Sequence, residues 1–265
     1  MIQLFAAAEG PAVHIAPSTV FHIGGVAITN SMLYGWITTV LLGALLIWVA
    51  RRVTIRPQGG VTQLVEAGAE FITNLVENSF NNPAKGRKYI PFFVTLFFFI
   101  MVTNWLGLVP GVGEALNIGG ETPLLRPFTA DLNATLAMAA ITMGMVYTAS
   151  IREMGGLRKY VRHFFIGSPK NPLYFTIGIL EMFTDLTRVF SLALRLFLNV
   201  AIGEIVIAVF AYLGHYLAPV STLPFFLMEL FVGALQAFVF TLLAIMYLAI
   251  AVNHADEHAA EESHA

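Results

Sequence analysis

Charge is the scarcest commodity in this 265-residue chain: only 11% of residues are Asp, Glu, Lys or Arg, where soluble domains carry about 25%. A water-soluble fold of this size could not cover its surface with so few charges. Cysteine is absent altogether, which excludes disulfides, iron–sulfur clusters and thiolate zinc sites. No excess of basic residues argues for nucleic acid, because the net charge is −2. No Gly-rich phosphate loop of the Walker type is present, so nothing in the chain binds or hydrolyses a nucleotide. What fills the space is apolar: 57% hydrophobic residues, 22 of them Phe, and a mean hydropathy of +0.76. The solvent for most of the chain is lipid.

The placement of the few charges then sets the topology. Pro11 to Ala50 contains no charged residue, and its apolar part, roughly Val26 to Ala50, is long enough for a span of about 20 residues. The stretch ahead of it has no basic residue, so it lacks the n-region of a signal peptide. Further spans are expected over Ile90–Val109, Leu132–Ile151, from Pro172 to Ala218 and from about Leu223 to Val252. Gln63 to Phe80 shows a helical period with an apolar and an acidic face. It reads either as a helix lying in the membrane interface or as one packed against protein. The fold class is therefore an all-α membrane protein. It has about five transmembrane helices and one interfacial amphipathic helix, the last two spans being long and strongly tilted. Three regions follow: an extracytoplasmic segment over 1–25, a membrane domain over 26–253, and an acidic, His-rich cytoplasmic tail over 254–265. His254 and His258 have the spacing of a helical metal pair, but the tail reads as solvated, and no metal site is expected.

Of the 14 Lys and Arg residues, 11 fall in the segments that an odd number of spans puts on one side. The positive-inside rule makes that side cytoplasmic, with the N-terminus outside and the C-terminus inside. Arg126 is the one basic residue expected on the outer side. The remaining two, Arg188 and Arg195, lie within a span. Ionisable groups at that depth are costly and functional by default. Arg188 has Asp185 three residues back, on its own helix face. Arg195 has no carboxylate three or four residues away on either side. Glu204, nine residues on, lies half a turn round the helix, and Asn199 offers only a hydrogen bond. The partner of Arg195 is therefore another helix, with Glu229 as the deep candidate within the chain, or another protein. Glu181, Thr184, Arg188, Ser191 and Arg195 form a polar stripe from the cytoplasmic end, and Glu204 and Glu229 lie toward the outer side. Two polar routes meeting at one fixed cation suit ion movement. A secondary transporter or channel acting alone, and a structural subunit of a respiratory complex, are the rival readings. The absence of internal repeats counts against the transporter.

These residues carry a resemblance. Ser191-Leu-Ala-Leu-Arg195-Leu-Phe-Leu-Asn199 followed by Gly203-Glu204 resembles the segment that marks the a subunits of F-type ATP synthases. Leu235-Gln236-Ala-Phe-Val-Phe240-Thr resembles their last helix. Asn104-Trp-Leu-Gly-Leu-Val-Pro110 and Thr129-Ala-Asp131-Leu-Asn133 match earlier motifs, and the similarity runs over roughly residues 25 to 253.

The resemblance implies a non-catalytic, ion-translocating subunit of a bacterial-type cell membrane, without cofactor. Its partners would be a ring of c subunits and peripheral-stalk b subunits. Arg195 would face the ring carboxylate, with Gln236 beside it. Asn199, Glu204 and Glu229 would line an outer half-channel, with Asn104, Asp131 and Asn133 as further candidates. Glu181, Thr184, Thr187, Arg188 and Ser191 would line a cytoplasmic one. The chain departs from the family pattern twice. Leu198 stands where Gly is usual, and Glu204 and Glu229 are both carboxylates where a carboxylate and a His often pair. Two close carboxylates should share a proton and titrate together. Whether the ion is H⁺ or Na⁺ depends on ligands in the ring.

Overall fold

A computed structural model describes residues 17–52, 59–109, 117–118, 122–123, 125–156 and 172–264. Arg56, Arg158, Lys159, Arg162 and Lys170 lie outside the described residues, as do the side chains of Glu181, His254 and His258. The order is β1 (Thr19–Ile23), β2 (Val26–Thr29), α1 (Asn30–Arg52), α2 (Gly60–Ser79), α3 (Pro83–Arg87) and α4 (Ile90–Gly107). There follow two-residue strands at Asn117–Ile118 and Thr122–Pro123 and a 3₁₀ turn (Phe128–Ala130). Then come α5 (Leu132–Glu153), α6 (Pro172–Gly214), a second 3₁₀ turn (His215–Leu217) and α7 (Ala218–His264). Among the described residues, four stretches are long and apolar enough to cross a membrane, and the last, Phe183–Asn253, contains most of both α6 and α7. The all-helical membrane class expected from composition is what is found.

The first span starts later than hydropathy suggests. Val26–Thr29 is a strand paired antiparallel with Thr19–Ile23. Gly24 and Gly25, at φ 57° and 86°, form the two-residue turn that such a hairpin needs. Helix α1 then opens at Asn30, with the Thr29 hydroxyl accepting from Met32 N at 3.3 Å. The expected break between the last two spans falls at Gly214. Helix α7 begins at Ala218, ahead of Leu223, and carries Pro224 in its second turn, where the ring removes one intrahelical hydrogen bond. Its backbone stays helical through the acidic tail to His264.

The chain forms two compact units. The first draws on Met1–Leu42, Ile100–Thr135 and Arg195–Gln236. In it the Tyr34 hydroxyl donates to Leu106 O at 2.7 Å, and Ser31 Oγ donates to Asp131 Oδ2 at 2.5 Å. Gly35 lets the Phe128 ring lie on α1, since a Cβ there would come within 2.5 Å of it.

The second unit draws on Gly43–Phe99, Leu136–Leu194 and Ala237–Ala265. Here α2 buries Thr62, Val65, Ile72 and Val76, and Gly68 admits the Phe98 ring of α4. Phe71 meets Phe238 of α7 at 5.5 Å between centroids. So α2 packs on protein along one stripe, while Val61 and Leu64 stay exposed beside it. At the end of α2, Asn253 accepts from Asn81 N and donates to Ser79 O. Beyond it, Lys88 pairs with Glu153, whose Oε1 also accepts from the Tyr89 hydroxyl at 2.9 Å. Burial, then the Glu153 contact, push the Tyr89 phenol above its ordinary range.

Candidate functional site

Helices α6 and α7 supply most of the site, and their pairing sets it. Within the first unit they run antiparallel. Phe210 stacks on Phe225 at 3.9 Å, and Ser221 Oγ donates to Phe210 O at 2.9 Å. Two turns away, Gly203 faces the Glu229 carboxyl so closely that a Cβ at Gly203 would overlap it. Only a residue without a side chain lets the carboxyl lie flat on the helix backbone. The same register carried two further turns brings Gln236 level with Leu196 and Arg195.

Glu229 is 6% exposed and Glu204, next to Gly203, is half-buried. Glu204 directly follows Gly203, the residue against which the Glu229 carboxyl packs. The same unit holds Arg126, the basic residue expected on the outer side. Arg126 is buried, donates from Nη2 to Ala130 O at 3.0 Å, and leaves Nε and Nη1 without hydrogen-bond partners. Nothing in the sequence around Arg126 signals burial. The only hint was that no other basic residue was expected on that side.

Arg195 points the other way. It is exposed and makes no ion pair with any described residue. Around it, Phe190, Leu194, Leu198 and Ile202 form an exposed apolar strip along α6. Leu198, the residue that departs from the family pattern, thus turns its bulk outward, on the same face as the arginine. Asn199 Nδ2 and Gln236 Nε2 are buried without partners, as is Asn104 Oδ1. Unpartnered polar atoms at such density are unusual in a packed interior and suit a path that carries water or protons.

Asn104 and Asp131 have structural engagements that the sequence did not reveal. Asn104 Nδ2 donates to Gly233 O at 3.1 Å and Trp105 Nε1 to Leu230 O at 2.9 Å, clamping α4 to α7 one turn from Glu229. Asp131 caps α5 by accepting from Asn133 N at 2.9 Å, and its other oxygen takes the Ser31 hydroxyl. The Asn133 side chain is exposed.

The other candidates lie in the second unit. Arg188 is paired with Asp185 at 2.7 Å, as the three-residue spacing predicts, and sits 4.8 Å from the Tyr247 ring centroid. Asp185 is also bonded by Tyr147. Thr184 Oγ1 donates to Leu180 O and Thr187 Oγ1 to Thr184 O, so both hydroxyls are satisfied on their own helix. Ser191 is exposed, and Glu181 is known only as a helical position.

Together these features define a multi-span α-helical membrane protein. A buried and a half-buried carboxyl sit on its longest helices, and an arginine with no ion pair among the described residues lies on an exposed apolar face. Residues 32–249 match the family described as ATP synthase A chain. The ATP synthase subunit a of Moorella thermoacetica is 34% identical over 236 residues, which cover 89% of this chain and 96% of the relative. ATP synthase subunit a 1 of Syntrophotalea carbinolica is 34% identical over 84% of this chain and 85% of its own length. ATP synthase subunit a 2 of a Bradyrhizobium strain is 31% identical over 90% and 96%. The chain belongs to the ATP synthase A chain family, and its role is in the membrane sector of F-type ATP synthases.

Close packing at Gly203 makes a prediction of its own. Gly203→Ala should displace the Glu229 carboxyl at an overpacking cost of about 1–3 kcal/mol. Ion-driven synthesis should fall while the chain still inserts. Shortening the acid in a Gly203→Ala, Glu229→Asp double variant should recover part of the loss. Synthesis rates in membranes from the three strains check this, and an unimpaired single variant would contradict the packing argument.

Proposed function

We propose that this chain holds Arg195 against a ring of c subunits and offers the ring carboxylates two separate half-channels. The observation that carries the reading is the exposed, unpaired arginine amid an apolar strip on α6. A charge in that setting requires a partner from outside the chain, because at membrane depth an unpaired cation is costly. A carboxylate on a partner ring supplies it.

The cycle follows from electrostatics. A ring carboxyl facing lipid stays protonated, since desolvation disfavours the charged form. Beside Arg195 the opposite charge favours ionisation, so the proton leaves into one half-channel on approach and is replaced from the other on departure. Because the half-channels do not connect, every ion rides the ring round, and rotation is the result. Glu204 and Glu229, with Asn199 and Gln236, serve the outer route. Glu181, Thr184, Thr187, Arg188 and Ser191 serve the cytoplasmic one, with the N-terminus outside and the C-terminus inside. The chain performs no ATP chemistry itself, and the peripheral-stalk b subunits hold it against the turning ring.

The lack of cysteine makes the test clean, because any thiol introduced is unique in the chain. Leu198→Cys should form a disulfide with a cysteine placed near the ring carboxylate, since bridging requires Cβ atoms about 3.8 Å apart. Val40→Cys, on the exposed face of α1, should not. No cross-link from Leu198→Cys or Ile202→Cys to any ring position would refute the contact.

A further inference from the structure

We propose that Leu198 is the hydrophobic seal that keeps the two half-channels from joining beside Arg195. The inference rests on the reading of α6 as the helix that meets the ring. Because α6 is unbroken from Pro172 to Gly214, the bearing of each side chain follows from its number, at about 100° per residue. On that count Thr184, Thr187 and Ser191 share an arc of about 60° with Leu198 and Ile202, and Arg195 stands within about 20° of its edge. All six are exposed.

The character of that arc changes at the arginine. Toward the cytoplasmic end its exposed positions carry hydroxyls. Beyond Arg195 they are Leu198, Ile202 and Val209, all aliphatic. The polar groups of the outer half turn aside instead. Asn199 lies about 40° round from Arg195, toward the side where Leu192 and Leu196 are buried, and its Nδ2 is buried without a partner. Glu204 lies about 180° round, on the opposite face. The cytoplasmic route therefore follows the outside of α6 and the outer route its packed side. The two come closest between Ser191 and Asn199.

Those residues are about 12 Å apart along the axis, with Arg195 midway between them. Water settles where several polar groups converge. The guanidinium, with the unpartnered amides of Asn199 and Gln236, offers such a place. The apolar walls must hold water back. On the packed side the wall is Leu192 and Leu196. On the exposed side it is Leu194 and Leu198. Helical side chains lean toward the N-terminus, so Leu198 lies over the turn that carries Arg195. Leu194 leans over the turn of Ser191 instead. Leu198 is thus the apolar cover between the arginine and the ring, and a tight apolar constriction stops ions by staying dry. That is a use for leucine at a position where the family pattern has Gly.

The test uses inverted membrane vesicles carrying the complete ATP synthase, its catalytic sector locked by ADP and fluoroaluminate so that the ring cannot turn. Decay of an imposed pH gradient then reports only leaks that do not ride the ring. Leu198→Ser should leak about tenfold faster than wild type or more, because the cost of wetting falls by the transfer free energy of a leucine side chain. Leu198→Met, of similar volume and apolar, should stay tight. Ile202→Ser, on the same face but beyond Asn199, should also stay tight. A wild-type leak from Leu198→Ser would overturn the proposal, as would equal leaks from Leu198→Ser and Ile202→Ser. If Leu198→Ser does not assemble, Leu198→Ala decides: a leak supports the seal and tight vesicles overturn it. Cross-linking of Leu198→Cys to the ring runs alongside. Tight Leu198→Ser vesicles from an enzyme that does cross-link sink the seal alone, whereas absence of any cross-link sinks the ring reading beneath it.

Discussion

Replacing Arg195 with Ala should stop ion-driven ATP synthesis and turn the membrane sector into a passive leak. Removing one partner of a desolvated charge pair costs about 2–5 kcal/mol, or roughly one and a half to three and a half decades at 1.36 kcal/mol per decade. Synthesis should therefore fall at least about 30-fold below wild type. The leak has a separate cause. Arg195 lies on the outward face of α6, with the buried carboxyls turned away from it. Without its charge, a ring carboxyl passing that point has no reason to surrender its proton and carries it from one half-channel into the other. Each proton then falls through the membrane potential, about 2.3 kcal/mol per 100 mV, with no work done. Arg195→Lys should also fail to synthesise, because a compact ammonium loses the planar fork and can itself deprotonate when buried. Vesicles stripped of the catalytic sector and loaded with a potassium gradient report the leak directly. Ion-tight vesicles with normal synthesis from either variant would remove Arg195 from the mechanism.

Legibility from sequence followed the range of the interactions concerned. The spans were readable because hydropathy is local: a charge-free run announces itself, and α4, α5 and α6 begin at Ile90, Leu132 and Pro172 as expected. Helical periodicity was also sufficient to set Glu204 on the far side of α6 from Arg195. It could not separate strand from helix at Val26–Thr29, where a short apolar hairpin strand runs straight into a span. Contacts between distant segments were beyond it. The clamp of Asn104 and Trp105 onto Gly233 and Leu230 could not be read from sequence, because a polar residue in an apolar run looks the same whether it bonds a neighbouring helix or lines a channel. The burial of Arg126, which the charge count placed on the outer side, leaves no mark on neighbouring residues in the sequence. The closeness of Gly203 to Glu229 needed the pairing of two helices, and only Gly203 itself hinted at it.

That closeness underlies the second large effect. Glu229→Gln replaces a carboxyl by an amide of nearly the same shape, so the packing over Gly203 and the register of α6 and α7 should survive. Only the exchangeable proton is lost. If Glu229 merely filled space, the substitution would be silent. If the carboxyl carries protons, the loss should be about 100-fold in ion-driven synthesis, within the range for a positioned proton-transfer group. Assembly should be unaffected, which the yield of intact complex in the membrane measures. Glu229→Asp keeps the exchangeable proton but withdraws it by one methylene from the Gly203 backbone. It should retain a substantial part of the rate, an ordering opposite to the one shape alone would give. Rates that follow chemistry (Glu, Asp, then Gln) assign Glu229 to the relay. Rates that follow shape, with Gln above Asp, would leave it a packing residue and leave Glu204 the single acid of the outer route.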